Sequence, residues 1–427
     1  MASRTAYRVT ARTGGRATVR PLRAVLAGAL VLLTAATGYG AGAGSAHADP
    51  VPTPLPSADA TAPPAIRLPV IPSRFEPLSD GCVRPSATVV PQVPWAESSL
   101  GLGRARQLAS GAGVTVAVVD SGVSRKAPAL AGRVTAAGAA GADCLGHGTF
   151  VAGLIAAAPA PGGGFGGVAP DACVLAVRGL AADGTPDEAA VAAGIRAAAD
   201  AGAQVIDVSL AFPRSTRALD DALRHAAAKD ALVVAAATPD DPPRTTGGDG
   251  EEPPPVAMWP AARSGVLSVV DVDVLGDRPE DAARPVRADL AAPGVGVTGI
   301  GPSGRGNYLG NGPSVAAAFT AGAAALLRSY RPDLTAPEVA ARLTASAYPA
   351  PVPRLDPFAA LSASGGSPAS AARPSAGSAI SLHVPREDPA PGRRATLITC
   401  AALLIALVLG AASLLRRRTR AATAREV

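Results

Sequence analysis

The sequence predicts an α/β fold in which helices cover both faces of a mostly parallel sheet. Two observations support it: short apolar runs rich in β-branched residues, and helical patterns that alternate with them. Strands joined through helices run parallel and are buried on both faces. The predicted strands are 114–119, 174–177, 205–210, 232–237 and 266–270. The predicted helices are 186–201, 216–229, 315–328 and 337–347, the last opened by a capping box at Thr335 and Glu338.

This α/β region is predicted to span 95–361, between two segments of low periodicity. Residues 49–94 are rich in Pro and are interpreted as an extended N-terminal arm, and 362–394 are rich in Ser, Pro and Gly and are interpreted as a flexible linker. Inside the α/β region, 238–255 is predicted to be an exposed loop because it is rich in Pro, Asp, Glu and Gly. Hydrophobic residues make up 48% of the chain, which supports a large core and excludes wholesale disorder.

The first 48 residues have the pattern of a secretory signal peptide. An Arg-rich stretch leads into an apolar run at 24–36, and Ala46-His47-Ala48 forms a small-x-small cleavage site. The sequence therefore predicts export of the chain from Asp49 onward. An uncleaved membrane anchor is the alternative.

The C-terminal end predicts a single transmembrane helix. Residues 395–415 are apolar and uncharged, enough to cross roughly 30 Å of hydrocarbon as a helix. The Arg-rich tail, 416–427, is expected to stay in the cytoplasm, because basic clusters are retained there. The sequence therefore predicts a protein of the cell membrane whose α/β region is extracellular. The alternative for 395–415 is a buried core helix.

The distribution of charge argues against nucleic acid as a partner. The chain has a formal charge of +6, but 13 of its 39 basic residues lie before Ala24 or from Arg393 onward. Between these two points 26 basic and 32 acidic residues remain, so the central region is negative, at −6. The basicity belongs to the two membrane signals, and an acidic exported region is not suited to bind phosphates.

Three residues stand in settings that suit catalysis. Asp120 directly follows the predicted strand at 114–119, His147 lies between two glycines at the start of an apolar helix, and Ser314 opens another apolar helix. Of the other histidines, His47 is in the signal and His383 in the linker, while His225 lies on an Ala-rich helix without a motif.

Together these residue types can perform nucleophilic catalysis. An imidazole can take the proton of a serine hydroxyl near neutral pH, and a buried carboxylate holds the imidazole in the required tautomer. The N-terminus of a helix at the serine presents backbone N–H groups to a developing oxyanion. Singly, each residue has an ordinary alternative, as a turn residue or a helix cap. Their combination, in the order Asp, His, Ser, predicts a serine hydrolase.

The cysteines predict one disulfide. Cys400 lies in the predicted span, and the other three lie in the exported region, where disulfides form. Cys173 falls in an apolar strand and is expected to be a buried free thiol, which leaves Cys82 and Cys144 as the possible pair. The spacing of Cys and His matches no metal motif, so neither a metal nor another cofactor is predicted.

The segments around Asp120, His147 and Ser314 resemble the motifs of the subtilases, and 167–172 and 290–294 also match stretches common to that family. The resemblance covers 95–361 and implies a subtilisin-like peptidase domain. Among subtilases the chain is most similar to the mycosins, which combine a signal, an arm with a Cys, a Cys shortly before the catalytic His, a Pro-rich linker and a C-terminal span. The resemblance implies Asp120 as orienting acid, His147 as general base and Ser314 as nucleophile. It also implies exported proteins as substrates and the membrane components of type VII secretion as partners.

Two positions depart from the subtilase pattern beside the nucleophile. Ala237-Thr238 stands where the family has Gly-Asn, so Thr238 is expected to replace an oxyanion donor with a shorter hydroxyl. Pro313 stands for a Thr, and Asp207 stands where the family often has Asn. Losing one oxyanion donor costs about 10²–10³ in turnover. The sequence therefore predicts a slow or selective endopeptidase, and the alternative is a weak or inactive protease-like domain with a structural role.

Overall fold

The computed structural model describes residues 66–73, 81–161, 164–181, 183–241, 254–280, 282–363, 403–405 and 407–412. The predicted signal peptide, all but the first two residues of the linker predicted at 362–394, most of the span predicted at 395–415 and the tail at 416–427 lie outside them. Among the described residues, no helix combines the length and the apolar character needed to cross a membrane.

The region between the arm and the linker is an α/β fold, as predicted. The strands are β1 (Thr115–Asp120), β2 (Val134–Ala136), β3 (Cys173–Arg178), β4 (Val205–Val208), β5 (Leu232–Ala236), β6 (Leu267–Val272), β7 (Leu290–Pro293), β8 (Val297–Ile300) and β9 (Asn307–Gly310). The helices are α1 (Trp95–Ser99), α2 (Leu102–Leu108), α3 (His147–Ala156), α4 (Glu188–Asp200), α5 (Arg217–Ala228), α6 (Pro313–Tyr330), α7 (Ala336–Ala345) and α8 (Pro357–Ser362). The predicted capping box of Thr335 and Glu338 opens α7.

Seven strands form one parallel sheet in the order β2-β3-β1-β4-β5-β6-β7, and β8 and β9 form a separate antiparallel pair. Neighbouring strands joined by helices bury both faces of such a sheet. The side chains of β1 show this directly, since Val116 and Val118 pack in the core with α3 and α6, and Ala117 and Val119 in the core with α4 and α5. Asp120 continues the alternation on the α3 and α6 face.

The central helix α6 is buried from Pro313 to Arg328. Its many alanines allow the backbone to approach the sheet closely, and it packs against strands β4 to β7 and against α3. This position holds the first turn of α6 rigidly beside the sheet. Any side chain in that turn is therefore placed by the core of the protein.

The described part of the N-terminal arm is bound to the α/β region. Ile71 is buried in the main core, and its backbone N–H donates to the carbonyl of Leu309 at 2.8 Å. Further along, the backbone N–H of Val83 donates to the carbonyl of Cys144 at 2.9 Å. The arm thus reaches the segment that leads into α3.

The predicted disulfide between Cys82 and Cys144 is present and joins the arm to that same segment. Cys173 is a free thiol, but the expectation that it is buried was wrong. It is the first residue of β3, and its side chain is exposed at the end of the strand. The apolar character of β3 comes from the residues after Cys173.

Candidate active site

Asp120, His147 and Ser314 meet at one end of the sheet, each placed by a different element. Asp120 is the last residue of β1, His147 the first residue of α3 and Ser314 the second residue of α6. The Nδ1 atom of His147 lies 2.8 Å from Oδ2 of Asp120, and its Nε2 atom lies 3.2 Å from Oγ of Ser314. All three residues are buried. The carboxyl ends of parallel strands are where α/β folds place their sites, which explains the position.

The glycines around His147 let its turn approach the strand that carries Asp120. Gly146 has a φ of 78°, in the left-handed region that favours glycine. A Cβ on Gly148 would lie 2.1 Å from the carbonyl oxygen of Gly122, so a side chain there would push α3 away from β1. The Gly-His-Gly sequence is therefore required by the close packing that brings His147 within hydrogen-bond distance of Asp120.

A second buried carboxylate, which sequence reasoning missed, organises the same turn. Asp143 accepts hydrogen bonds through Oδ1 from the Ser121 hydroxyl at 2.9 Å and the Gly146 backbone N–H at 2.8 Å. Its Oδ2 accepts from the backbone N–H of Thr149 at 2.8 Å and from its hydroxyl at 2.7 Å. Asp143 thus satisfies N–H groups at the start of α3 and fixes the residues on both sides of His147.

The electrostatics of the pair favour a charged His147. Burial alone would raise the pKa of Asp120, but the His147 imidazole and the hydrogen bonds that Asp120 accepts outweigh it, so this pKa lies below its ordinary value. Burial disfavours the imidazolium, yet the Asp120 charge and the hydrogen bonds to Asp120 and Asp240 hold the pKa of His147 well above its ordinary value. The imidazole therefore carries its second proton readily.

Asp240 is a fourth member of the site that the sequence did not reveal. Its Oδ1 accepts a hydrogen bond from the backbone N–H of Ser314 at 2.8 Å, and its Oδ2 accepts one from the Ser314 hydroxyl at 2.6 Å. The same Oδ2 lies 3.1 Å from Nε2 of His147. The prediction that 238–255 is exposed was thus wrong for its first residues, since Thr238 is buried and the Asp240 side chain is only 1% exposed.

Thr238 and Pro313, the two departures from the subtilase pattern, lie at one cavity in the structure. Thr238 follows β5 and is buried, and Pro313 is the first residue of α6, directly before Ser314. Both line a cavity of about 260 Å³ together with Asp240. The two departures from the subtilase pattern therefore share a cavity with Asp240, which accepts from the backbone N–H of Ser314.

Asp207 lies within the same electrostatic environment on β4. It is fully buried, and neither of its carboxyl oxygens has a hydrogen-bond partner among the residues that the structure describes. Burial, followed by the Asp120 and Asp240 charges, raises the pKa of Asp207 well above its ordinary value, and His147 opposes this only in part. The folded protein therefore favours the uncharged form of Asp207 more than water does.

A buried Asp-His-Ser chain at the carboxyl end of a parallel sheet defines the class as a serine hydrolase with a nucleophile at a helix start. The comparisons agree with the geometry. The model of the subtilase family, Peptidase S8, matches residues 111–377. Mycosin-4 of Mycobacterium tuberculosis is 33% identical over 83% of this chain and 92% of its own length.

Two solved structures show the same likeness. The crystal structure of MycP1 from the ESX-1 type VII secretion system has a TM-score of 0.59 and 29% identity, and the match covers 71% of this chain and 97% of that one. A chain in the periplasmic assembly from the ESX-5 inner membrane complex also has a TM-score of 0.59, with 26% identity over 76% of this chain and 100% of its own. This chain belongs to the subtilase family of serine endopeptidases, and within it to the mycosins.

Proposed function

We propose that this protein is a membrane-anchored serine endopeptidase that cleaves exported proteins outside the cytoplasmic membrane, in association with type VII secretion. The observation that supports the catalytic roles is the buried chain of contacts from Asp120 through His147 to Ser314, at 2.8 and 3.2 Å. In this proposal Ser314 is the nucleophile, His147 the general base and Asp120 the residue that orients and stabilises the imidazole.

The reaction would proceed by acyl transfer. The Ser314 Oγ attacks the carbonyl carbon of the scissile peptide while its proton passes to Nε2 of His147. As the C–N bond breaks, His147 returns that proton to the leaving amine, and an acyl ester on Ser314 remains. Water then attacks the ester with His147 again as base, which releases the new carboxyl terminus and restores the serine.

The oxyanion of both tetrahedral intermediates would be stabilised by the backbone N–H of Ser314, at the start of α6. Thr238 occupies the position at which the family pattern has an Asn as the second donor, and the Thr side chain is shorter than the Asn side chain. Since Pro313 has no N–H, the preceding residue adds no donor. We infer a weakened oxyanion hole and a turnover below that of subtilases with the full set of donors.

The experiment that tests the catalytic proposal is labelling of the full chain with a fluorophosphonate probe. Ser314 should be labelled, and Ser314→Ala should abolish both labelling and cleavage of a peptide substrate. Labelling that persists in Ser314→Ala would assign the nucleophile to another residue.

A second candidate, a protease-like domain with a structural role, is favoured by the contacts of Asp240, which hold Ser314 and His147 away from a substrate. In that case Ser314→Ala would leave the secretion of exported proteins unchanged. If secretion fails in Ser314→Ala while the variant protein accumulates normally, the enzymatic function is supported.

The proposed location and partners rest on the sequence and on relatives. The predicted signal at 1–48 and span at 395–415 place 49–394 outside the membrane, and a relative is part of the periplasmic assembly from the ESX-5 inner membrane complex. Protease added to intact spheroplasts should digest the peptidase domain and spare a tag placed after Val427. Digestion of the tag with an intact domain would reverse the orientation. Recovery of type VII membrane components with the tagged full chain would support the association.

A further inference from the structure

The contacts of Asp240 all fall on groups that the proposed reaction needs. One carboxyl oxygen accepts from the backbone N–H of Ser314, and the other accepts from its hydroxyl and lies 3.1 Å from Nε2 of His147. The side chain is 1% exposed, so the carboxylate occupies the centre of the site and not its rim. Asp240 and Ser314 are therefore in direct contact.

The Oδ1 atom of Asp240 lies where the substrate's oxyanion would be stabilised. An oxyanion must approach a donor N–H to 2.7–3.1 Å. The backbone N–H of Ser314 already donates to Oδ1 at 2.8 Å, so the substrate's oxygen and this carboxylate cannot occupy the same position. The Oδ1 atom of Asp240 therefore occupies the position that the oxyanion of the tetrahedral intermediate would take.

The Oδ2 atom interferes with the nucleophile and the base. The Ser314 hydroxyl donates a hydrogen bond to Oδ2. Nucleophilic attack requires the hydroxyl to donate to Nε2 of His147 instead. His147 lies between two carboxylates, Asp120 at Nδ1 and Asp240 at Nε2, and this arrangement favours the doubly protonated ring. A protonated imidazole cannot accept the serine proton. The raised pKa of His147, to which both carboxylates contribute, agrees with this reading.

The backbone makes room for the carboxylate. Gly312 has a φ of 120°, and a Cβ added there would lie 2.2 Å from Oδ1 of Asp240. The space above Gly312, directly before the first turn of α6, is thus filled by Asp240. A substrate that takes this space must move the Asp240 side chain.

We propose that Asp240 is an autoinhibitory residue, whose carboxylate fills the oxyanion position and is displaced when a substrate binds. The inference rests on the proposed function, because it concerns the same Ser314 and His147. Asp241 and Asp271 line the same cavity as Asp240.

The test compares Asp240→Ala and Asp240→Asn with the full-length wild type and with Asp241→Ala, an exposed neighbour that lines the same cavity. If the uninhibited form is populated at about 1–10%, removing the carboxylate should raise the rate of fluorophosphonate labelling and kcat/KM about 10- to 100-fold. In Asp240→Ala most of the gain should be in KM, because an internal competitor has been removed. Asp241→Ala should label at the rate of the wild type.

The pH dependence gives a second readout, in both Asp240 variants. His147 loses one of the two carboxylates that favour its protonation, so the acid limb of the kcat/KM profile should move to lower pH. It should not move in Asp241→Ala. This shift is specific to a contact with His147 and does not follow from a general change in stability, which thermal unfolding of each variant measures separately.

The outcomes separate this inference from the proposed function. If the wild type is labelled at Ser314 and both Asp240 variants react no faster, the autoinhibitory role is refuted while the peptidase assignment stands. Slower reaction of folded Asp240→Ala would show that Asp240 assists catalysis, which also overturns the inference. If no variant is labelled at Ser314, the proposed function fails, and this inference fails with it.

Discussion

Thr238 and Pro313 line the same cavity of about 260 Å³, which is also lined by Asp240, the acceptor of the Ser314 N–H. They are 75 residues apart in the chain, one after β5 and the other at the start of α6. Both depart from the subtilase pattern, and both departures remove a polar group expected to assist the oxyanion. Because both changes fall in one cavity, their effects on turnover are expected to be coupled.

Thr238→Asn should raise kcat on a peptide substrate by about tenfold or more, if the new amide reaches the oxyanion at about 3 Å. Oxyanion donors act mainly in the transition state, so KM should change less than kcat. Because Asp240 occupies the same space, the gain should be larger in an Asp240→Ala background than alone. Steady-state kinetics of the single and double variants measure both effects.

Pro313→Thr serves as the companion variant and should add to the gain, although not additively, because both changes act on one site. A wild type with turnover typical of subtilases, slowed by Thr238→Asn, would show that the Thr238 hydroxyl is already a competent donor. The prediction of a weakened oxyanion hole would then be wrong.

The triad was predictable because each member lies in a local pattern. Asp120 ends a β-branched run, and His147 and Ser314 open apolar helices, so strand and helix signals alone place all three at one end of a parallel sheet. The family motifs then select them from the other Asp, His and Ser residues. The long strands and helices were predictable for the same reason.

Asp240 was not predictable from local signals. Its contacts with Ser314 and His147 join residues 74 and 93 positions apart, and it lies in a Pro- and Asp-rich segment that resembles an ordinary loop. The short strands β2, β7, β8 and β9 were also missed, since they are only three or four residues long. Their pairing depends on tertiary packing and not on propensity.

Loss of the disulfide should destabilise the peptidase domain. Cys82 and Cys144 are 62 residues apart, and closing such a loop stabilises the folded state by about 4 kcal/mol in the chain-entropy model. Cys82→Ser should lower the free energy of unfolding by up to this amount, measured by denaturant titration. Cys173→Ser, which removes an exposed free thiol, is the matched control and should change little. Peptide mapping that finds Cys82 free, or joined to Cys173, would refute the pairing.

Asp143→Ala should reduce both stability and turnover. The substitution leaves buried donors of Ser121, Gly146 and Thr149 without their acceptor, and each such loss costs about 1–3 kcal/mol before relaxation. We expect unfolding to become easier by about 2–4 kcal/mol, and kcat to fall because this turn positions His147.

Asp183→Ala is a close control for Asp143→Ala. Asp183 accepts the same kinds of bond, from the backbone N–H and hydroxyl of Thr185, but on an exposed turn. Asp183→Ala should lower the free energy of unfolding much less than Asp143→Ala does, and it should leave kcat unchanged. Equal losses in the two variants would mean that burial of the Asp143 network is not what holds the turn.

Asp207→Asn should stabilise the protein at neutral pH. The carboxyl of Asp207 is fully buried without a hydrogen-bond partner among the described residues, and burial raises its pKa well above the ordinary value of about 3.9. In the unfolded chain the same carboxyl ionises near that ordinary value. The unfolded state therefore releases a proton that the folded state retains, and unfolding becomes more favourable as the pH rises.

The sign of the effect follows from this difference. The contribution of Asp207 to stability is fully present below about pH 4 and is lost as the pH rises toward its folded-state pKa, at about 1.4 kcal/mol per pH unit within that window. An asparagine has nearly the same shape and cannot ionise. The stability of Asp207→Asn relative to the wild type should thus grow from pH 4 to pH 7 and exceed about 1 kcal/mol at pH 7. Denaturant titrations of both proteins at four or more pH values measure the difference, in which the contributions of all other groups cancel.

Asp277→Asn, at an exposed position, is the control, and its difference in stability from the wild type should stay near zero at every pH. If the difference for Asp207→Asn is also independent of pH, Asp207 is ionised in the folded protein, and its assignment as a neutral buried acid beside the active site is wrong.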